Sequence, residues 1–223
     1  MRGRRGIFIT FEGLDGSGKS TQMARLTETL AARGLSVVAT REPGGTEIGQ
    51  SIRSMLLDSG TSGLSPLAEL ALMFADRVQH IEEIIEPALK AGKVVLCDRY
   101  TDSTEAYQGF GRELGSRAVL NLHRALCDDL WPDLTLLLDS DVSSSVARAR
   151  NRNQSSQSSE SRFESEDAGF FRRVHEGFET IARRETTRVV RIPSGPIQKV
   201  ASQVLRTVER RFPQMIERAA TVR

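Results

Sequence analysis

The chain has 223 residues, with 31 basic and 29 acidic side chains and a formal net charge of +2. Hydrophobic residues make up 39% and charged residues 27%, ordinary for one globular domain large enough to bury a full core. The near-neutral balance argues against a nucleic-acid surface as the main business. No run approaches the roughly 20 apolar residues of a membrane-spanning helix. The basic start Met1-Arg2-Gly3-Arg4-Arg5-Gly6 lacks the apolar stretch of a signal peptide. Cys97 and Cys127 make no metal-ligand spacing. These features predict a cytoplasmic chain, with no membrane or nucleic-acid partner.

A strand is expected over residues 6–12, ending at Glu12, and a helix from Thr21 to Arg33 with Met23, Leu26 and Leu30 at helical spacing. Between them lies Gly13-Leu14-Asp15-Gly16-Ser17-Gly18-Lys19-Ser20. Glycine, four residues, then Gly-Lys-Ser is the phosphate-cradling P-loop. Its glycines let backbone N–H groups surround phosphate oxygens, Lys19 supplies a cation for the β and γ oxygens, and the Ser20 hydroxyl can ligate Mg²⁺. The helix N-terminus behind the loop favours an anion. Residues Gly13 to Thr21 are therefore the expected ATP-phosphate site.

Gly34 suits a left-handed helix end, and 35–40 reads as a second strand. Arg41-Glu42-Pro43-Gly44-Gly45-Thr46 follows; Pro43 stops the strand, so Arg41 and Glu42 sit where open α/β sheets place ligands. Residues 46–58 and a long stretch from Leu67 to Leu89 have helical spacing, with Phe74 on an apolar face and Asp76 and Arg77 interrupting it. Val94-Val95-Leu96-Cys97-Asp98 reads as a buried strand presenting a metal-facing carboxylate beside the P-loop. A capped helix start with polar side chains is expected over 101–109. A helix at 116–127 and a buried strand at 134–139 follow. A helix from Val142 to Arg152 then carries Arg148, Arg150 and Arg152. The Ser/Gln-rich residues 153–161 lack apolar anchors and predict a mobile segment. A helix at 168–184, a strand at 188–192 and a helix at 197–212 close the chain. The alternation predicts a doubly wound, mostly parallel five-stranded sheet with helices on both faces, as one domain over 1–223 with a mobile lid at about 148–166.

From Ile7 to about Phe212 the sequence resembles bacterial thymidylate kinases. The resemblance is carried by Phe11-Glu12-Gly13 with the P-loop, Thr40 to Thr46, Asp98-Arg99-Tyr100 with Ser103, Ala106, Tyr107, Gln108 and Gly109, Pro132-Asp133-Leu134-Thr135, and Arg162-Phe163-Glu164. It implies transfer of the γ-phosphoryl of ATP to dTMP with Mg²⁺ held by Ser20 and Asp98, and a homodimer. It also implies roles: Asp15 on the deoxyribose 3′-hydroxyl, Arg41 and Arg99 as a clamp on the acceptor phosphate, Tyr107 crowding the 2′ position, Thr104 and Gln108 on the base side, and Arg77 on a thymine carbonyl. Lys19, Asp98 and Arg99 are the catalytic set near the P-loop. The loop position that carries arginine in one class of the family is Gly16 here, so the lid is expected to supply the cation, from Arg152 or Arg162. Arg148 and the Pro193-Ser194-Gly195 turn are candidates for the adenine side. The chain departs from the family pattern in three places. Ser161 stands before the lid arginine instead of aspartate, the lid is longer, and Met73 occupies the place of the base-stacking aromatic, leaving Phe74 or Met73 for that role. Other monophosphate acceptors (dUMP, dCMP, UMP) and a non-catalytic nucleotide-binding module are the rival readings. The guanine-reading Asn-Lys-x-Asp and the Leu-Ser-Gly-Gly of transport ATPases are absent.

Overall fold

The computed structural model describes residues 5–61, 63–156 and 162–214, without the side chains of residues 152 and 154–156. Five parallel strands, β1 (Ile7–Glu12), β2 (Val37–Arg41), β3 (Val94–Asp98), β4 (Leu134–Asp139) and β5 (Val189–Pro193), form one sheet in the order β2-β3-β1-β4-β5. Strands β1, β3 and β4 are almost wholly buried because helices cover both faces, which is why they read as continuous apolar runs. Alternate side chains still go to opposite sides. Ile9, Phe11, Val94, Leu96, Leu134 and Leu136 pack under α1 (Lys19–Ala32) and α9 (Ile197–Arg211). Phe8, Val95 and Cys97 face the other layer.

That layer contains α3 (Pro66–His80), α4 (Glu86–Lys90), α6 (Ser116–Leu126) and α8 (Ala168–Arg184). The expected long helix over 67–89 is three pieces, because a π-helical turn at Ile81–Ile85 separates α3 from α4. Pro87 in α4 cannot donate to a carbonyl one turn back, and the widened turn lies directly before it. The apolar surplus of this stretch is used inside the molecule: Leu70, Phe74, Ile81, Ile85 and Leu89 are core residues.

Register brings the strand ends together. Phe11 pairs with Asp98, Asp98 with Arg41, and Phe11 with Leu136, so the loops after β1, β2, β3 and β4 open on one edge. Helix α2 (Glu47–Leu57) starts at this edge, capped by Thr46 accepting from Gly49 N–H at 2.9 Å. The segment expected as a capped helix start with polar side chains is buried. It comprises α5 (Thr101–Thr104) and a π-helical run Glu105–Gly111, and Thr101 to Gly109 are all buried. No side chain caps it; Thr101 bonds His123, and Asp102 takes a two-pronged pair from Arg188 at 2.6 and 2.7 Å. Helix α7 (Val142–Ser156) runs four residues past its expected end, into the Ser/Gln stretch; residues 157–161, and the basic start at 1–4, lie outside the described residues. Both cysteines are buried free thiols.

His123 on α6 is fully buried, with Nδ1 on the Thr101 hydroxyl at 2.9 Å and, among the described residues, no hydrogen-bond partner for Nε2. Burial foremost, and then the charge of Arg77, lower its pKa to about 4. The unfolded chain would bind this proton near pH 6.5. Stability should therefore fall as pH drops from 6.5 toward 4, by up to about 1.4 kcal/mol per pH unit from this group. Urea unfolding of wild type and His123→Gln across that range should show the slope reduced in the variant.

Candidate functional site

The loop after β1 curls over the N-terminus of α1. Gly16 and Gly18 have φ of 77° and 98°, values that a side chain makes costly. A Cβ on Gly16 would also lie 2.3 Å from the Ser145 carbonyl, because α7 packs directly on the loop. Arg148 of α7 donates from Nε to the Gly16 carbonyl at 2.8 Å. Lys19 is buried and folds back, donating to the carbonyls of Gly13 (3.1 Å) and Leu14 (2.9 Å). Burial and the nearby charge of Arg99 lower its pKa to about 8, against the opposing pull of Asp15, Asp98 and Glu12.

Ser20 donates its hydroxyl to Asp98 Oδ2 at 2.7 Å, while Asp98 Oδ1 is buried with no hydrogen-bond partner among the described residues. A hydroxyl beside a carboxylate with a spare oxygen is the hard donor set that Mg²⁺ takes. A second grouping, Glu42, His80 and Cys97, has its ligand atoms within 4.8 Å of one another. Its imidazole is already committed at both nitrogens, to Glu42 Oε1 (2.9 Å) and Thr40 Oγ1 (2.6 Å), so it forms a hydrogen-bond network.

Arg99 follows β3 with a left-handed backbone, φ 72°, a strained choice for arginine. Its guanidinium donates to Asp15 Oδ1 (2.7 Å), Ser103 Oγ (2.8 Å), the Gly13 carbonyl (3.1 Å) and Tyr107 Oη (3.3 Å). Tyr107 donates to the other Asp15 oxygen at 3.0 Å. Burial alone would raise the Asp15 pKa; the charges of Arg99 and Lys19 and these hydrogen bonds hold it well below the usual carboxylate range. Beneath them Glu12 accepts from Tyr100 N–H at 2.8 Å and from the Ser103 hydroxyl. Burial first, then Asp102, push Glu12 up to about 8.

The Arg41-to-Thr46 loop faces this group. Arg41 is exposed on the cavity wall, and Glu42 turns inward. Glu42 accepts from Arg77 Nε at 2.8 Å, and the two form a buried ion pair. Arg77 gives Nη2 to Thr104 Oγ1 at 2.7 Å, and its Nη1 is buried with no hydrogen-bond partner among the described residues. Asp76 anchors the loop through Gly44 N–H at 2.9 Å. Glu42 and Asp76 were missed as structural groups, since nothing in their spacing says that they turn inward.

One cavity of about 1310 Å³ joins these parts: Asp15 to Thr21, Arg41, Met73, Arg77, Asp98, Arg99, Thr104, Tyr107, Gln108 and Arg148 all line it, as does the Pro193-Ser194-Gly195 turn. Four expected site residues are not on its wall: Gly13 and Leu14, whose carbonyls hold Lys19, and Phe74 and Arg162. Phe74 is 1% exposed in the core, with the Arg77 guanidinium 4.9 Å above its ring, and Met73 takes the place on the wall. Its helical register explains this: one position along α3 turns a side chain from the cavity to the sheet. Arg162 is held away from the phosphate loop, donating to the Leu56 carbonyl at 2.5 Å and to Glu69 Oε2 at 2.6 Å. The Arg152 side chain lies outside the described residues. Arg150 braces the carbonyls of Glu164 and Glu166 at 2.9 and 3.1 Å.

A P-loop on the first strand of a β2-β3-β1-β4-β5 parallel sheet, facing an arginine-bearing wall across one cavity, defines a P-loop kinase of the nucleoside monophosphate type. A family model described as thymidylate kinase matches residues 11–204. A thymidylate kinase from Solidesulfovibrio magneticus is 48% identical over 85% of this chain and 92% of its own length. One from Desulfovibrio desulfuricans is 48% identical over 91% and 95%. The crystal structure of thymidylate kinase from Ehrlichia chaffeensis superposes with a TM-score of 0.76 at 34% identity, covering 92% of this chain and 99% of that one. The chain belongs to the thymidylate kinase family.

Removing Glu42 should be costly, because Arg77 would be left buried without its counter-charge. Glu42→Ala is expected to lose about 3–5 kcal/mol of stability in urea unfolding. Glu42→Gln, which keeps one hydrogen bond, should lose less.

Proposed function

We propose that this chain transfers the γ-phosphoryl of ATP to dTMP, giving dTDP and ADP. The observation that carries the reading is the single cavity in which the P-loop faces Arg41, Arg99 and Arg77, in a chain of this family. Phosphoryl transfer asks the protein mainly to position two anions and to neutralise charge. Lys19 leaves its carbonyl partners for the β and γ phosphates. Ser20 and Asp98 would hold Mg²⁺, which would supply charge neutralisation at the phosphates. Arg41 and Arg99 clamp the acceptor phosphate, for which a planar guanidinium is suited. Asp15, kept ionised by Arg99, accepts from the 3′-hydroxyl, and Tyr107, bonded to Asp15, occupies the space a 2′-hydroxyl would need. Arg77 offers its free Nη1 to a base carbonyl, with Thr104, Gln108 and Met73 around the ring. Arg148 lies on the donor side.

Residues 148–166 act as the lid of a single domain over 1–223, and Arg152 or Arg162 places a cation on the migrating group. For Arg162 this means leaving Glu69. A cytoplasmic homodimer completes the reading. It is supported by exposed Ile48 and Met55 on α2 and Leu67 on α3; among the described residues, no helix is long and apolar enough to cross a membrane.

With ATP and Mg²⁺, ADP release should be fastest with dTMP, slower with dUMP and poor with UMP. Equal use of UMP would remove Tyr107 from its role, and no acceptor-dependent release would leave only a nucleotide-binding module. Arg152→Ala and Arg162→Ala, made singly, should cost at least about 2 kcal/mol in kcat/KM at one of the two positions. Normal turnover in both variants would take the cation out of the lid.

A further inference from the structure

Glu69, in the first turn of α3, is fully buried and does not line the cavity. Its two oxygens accept from three side chains. Oε1 takes Gln108 Nε2 at 2.7 Å, Arg112 Nε reaches both oxygens at 3.2 Å, and Oε2 takes Arg162 Nη2 at 2.6 Å. Gln108 is also fully buried, and it does line the cavity. A primary amide can present either end to a neighbour, but only its NH₂ can face an acceptor. Gln108 Oε1 is thus turned the other way, and it is buried with no hydrogen-bond partner among the described residues. An unmatched buried carbonyl is a costly state that a ligand N–H relieves. Thr104, one turn before Gln108, accepts from Arg77 Nη2, which brings the unpartnered Arg77 Nη1 to the same stretch of wall.

We propose that Glu69 is a positioning residue that sets base specificity: by holding the Gln108 NH₂ group, it commits the Gln108 carbonyl to accept from a ring N–H. With Arg77 Nη1 as donor, the wall then matches an edge in which a carbonyl adjoins a ring N–H, as in thymine and uracil. Cytosine presents an exocyclic NH₂ and a bare ring nitrogen there, setting donor against donor and acceptor against acceptor. The inference rests on reading the cavity as the dTMP site. It deepens that reading by naming a residue out of the ligand's reach that fixes which pyrimidine edge is taken.

The test is kcat/KM for dTMP and for dCMP in wild type, Glu69→Gln and Gln108→Met, with melting temperatures for each. A glutamine at position 69 can offer either end of its own amide, so Gln108 is free to turn over. The dTMP-to-dCMP ratio should fall at least about tenfold in Glu69→Gln, mainly through the KM for dTMP. It should fall similarly in Gln108→Met, and no further in the double variant. A purely structural role for Glu69 would lower both acceptors alike and leave the ratio unchanged, and that result in a folded Glu69→Gln overturns the proposal. Should Glu69→Gln fail to fold, Gln108→Met decides, and an unchanged ratio there overturns the proposal as well. A wild type without preference for dTMP would instead undo the functional reading on which the proposal stands.

Discussion

The parallel register of β2, β3 and β1 is the constraint from which the site follows. Because Arg41, Asp98 and Phe11 stand in line across three strands, every loop that leaves them opens at the same edge. Charges from three separate sequence motifs are thereby forced into one small volume. Such a group is tolerable only when each member has a counter-charge or a hydrogen-bond partner, since an isolated buried charge is expensive. The pairs that result, Asp15 with Arg99 and Glu42 with Arg77, are as much a part of the fold as the apolar layers beside them.

These pairs also leave defined remainders. Arg77 spends Nε and Nη2 on the protein and keeps Nη1; Asp98 spends one oxygen on Ser20 and keeps the other; Gln108 spends its amide nitrogen and keeps its carbonyl. Each remainder is buried, and each belongs to a residue that lines the cavity. The protein thus holds these atoms in fixed orientations, which is the condition under which polar groups contribute most to recognition.

Much of this was legible beforehand. The P-loop, the parallel sheet implied by alternating elements and the carboxylate at the end of β3 follow from local patterns whose geometry is nearly obligatory. The buried polar segment 101–109 was not legible, because a run of Thr, Asp, Ser and Glu looks the same whether solvent or a distant partner satisfies it. Here Thr101, Asp102 and Glu105 are met by His123, Arg188 and Arg184, each more than twenty residues away. The choice between Met73 and Phe74 was open for a similar reason: adjacent positions differ by about 100° around a helix, and only the packed sheet decides which one points inward. The placement of Arg162 on Glu69 depended on a contact across 93 positions that no spacing announces.

The contact between α7 and the phosphate loop carries a wider consequence. The space that a side chain at position 16 would fill is already taken by the backbone of the helix bearing Arg148. A cation on the loop and a helix lying this close above it are thus competing tenants of one volume. In this chain, placing a cation on the loop is not a matter of exchanging a single residue. The helix would first have to withdraw, and with it the arginines it carries.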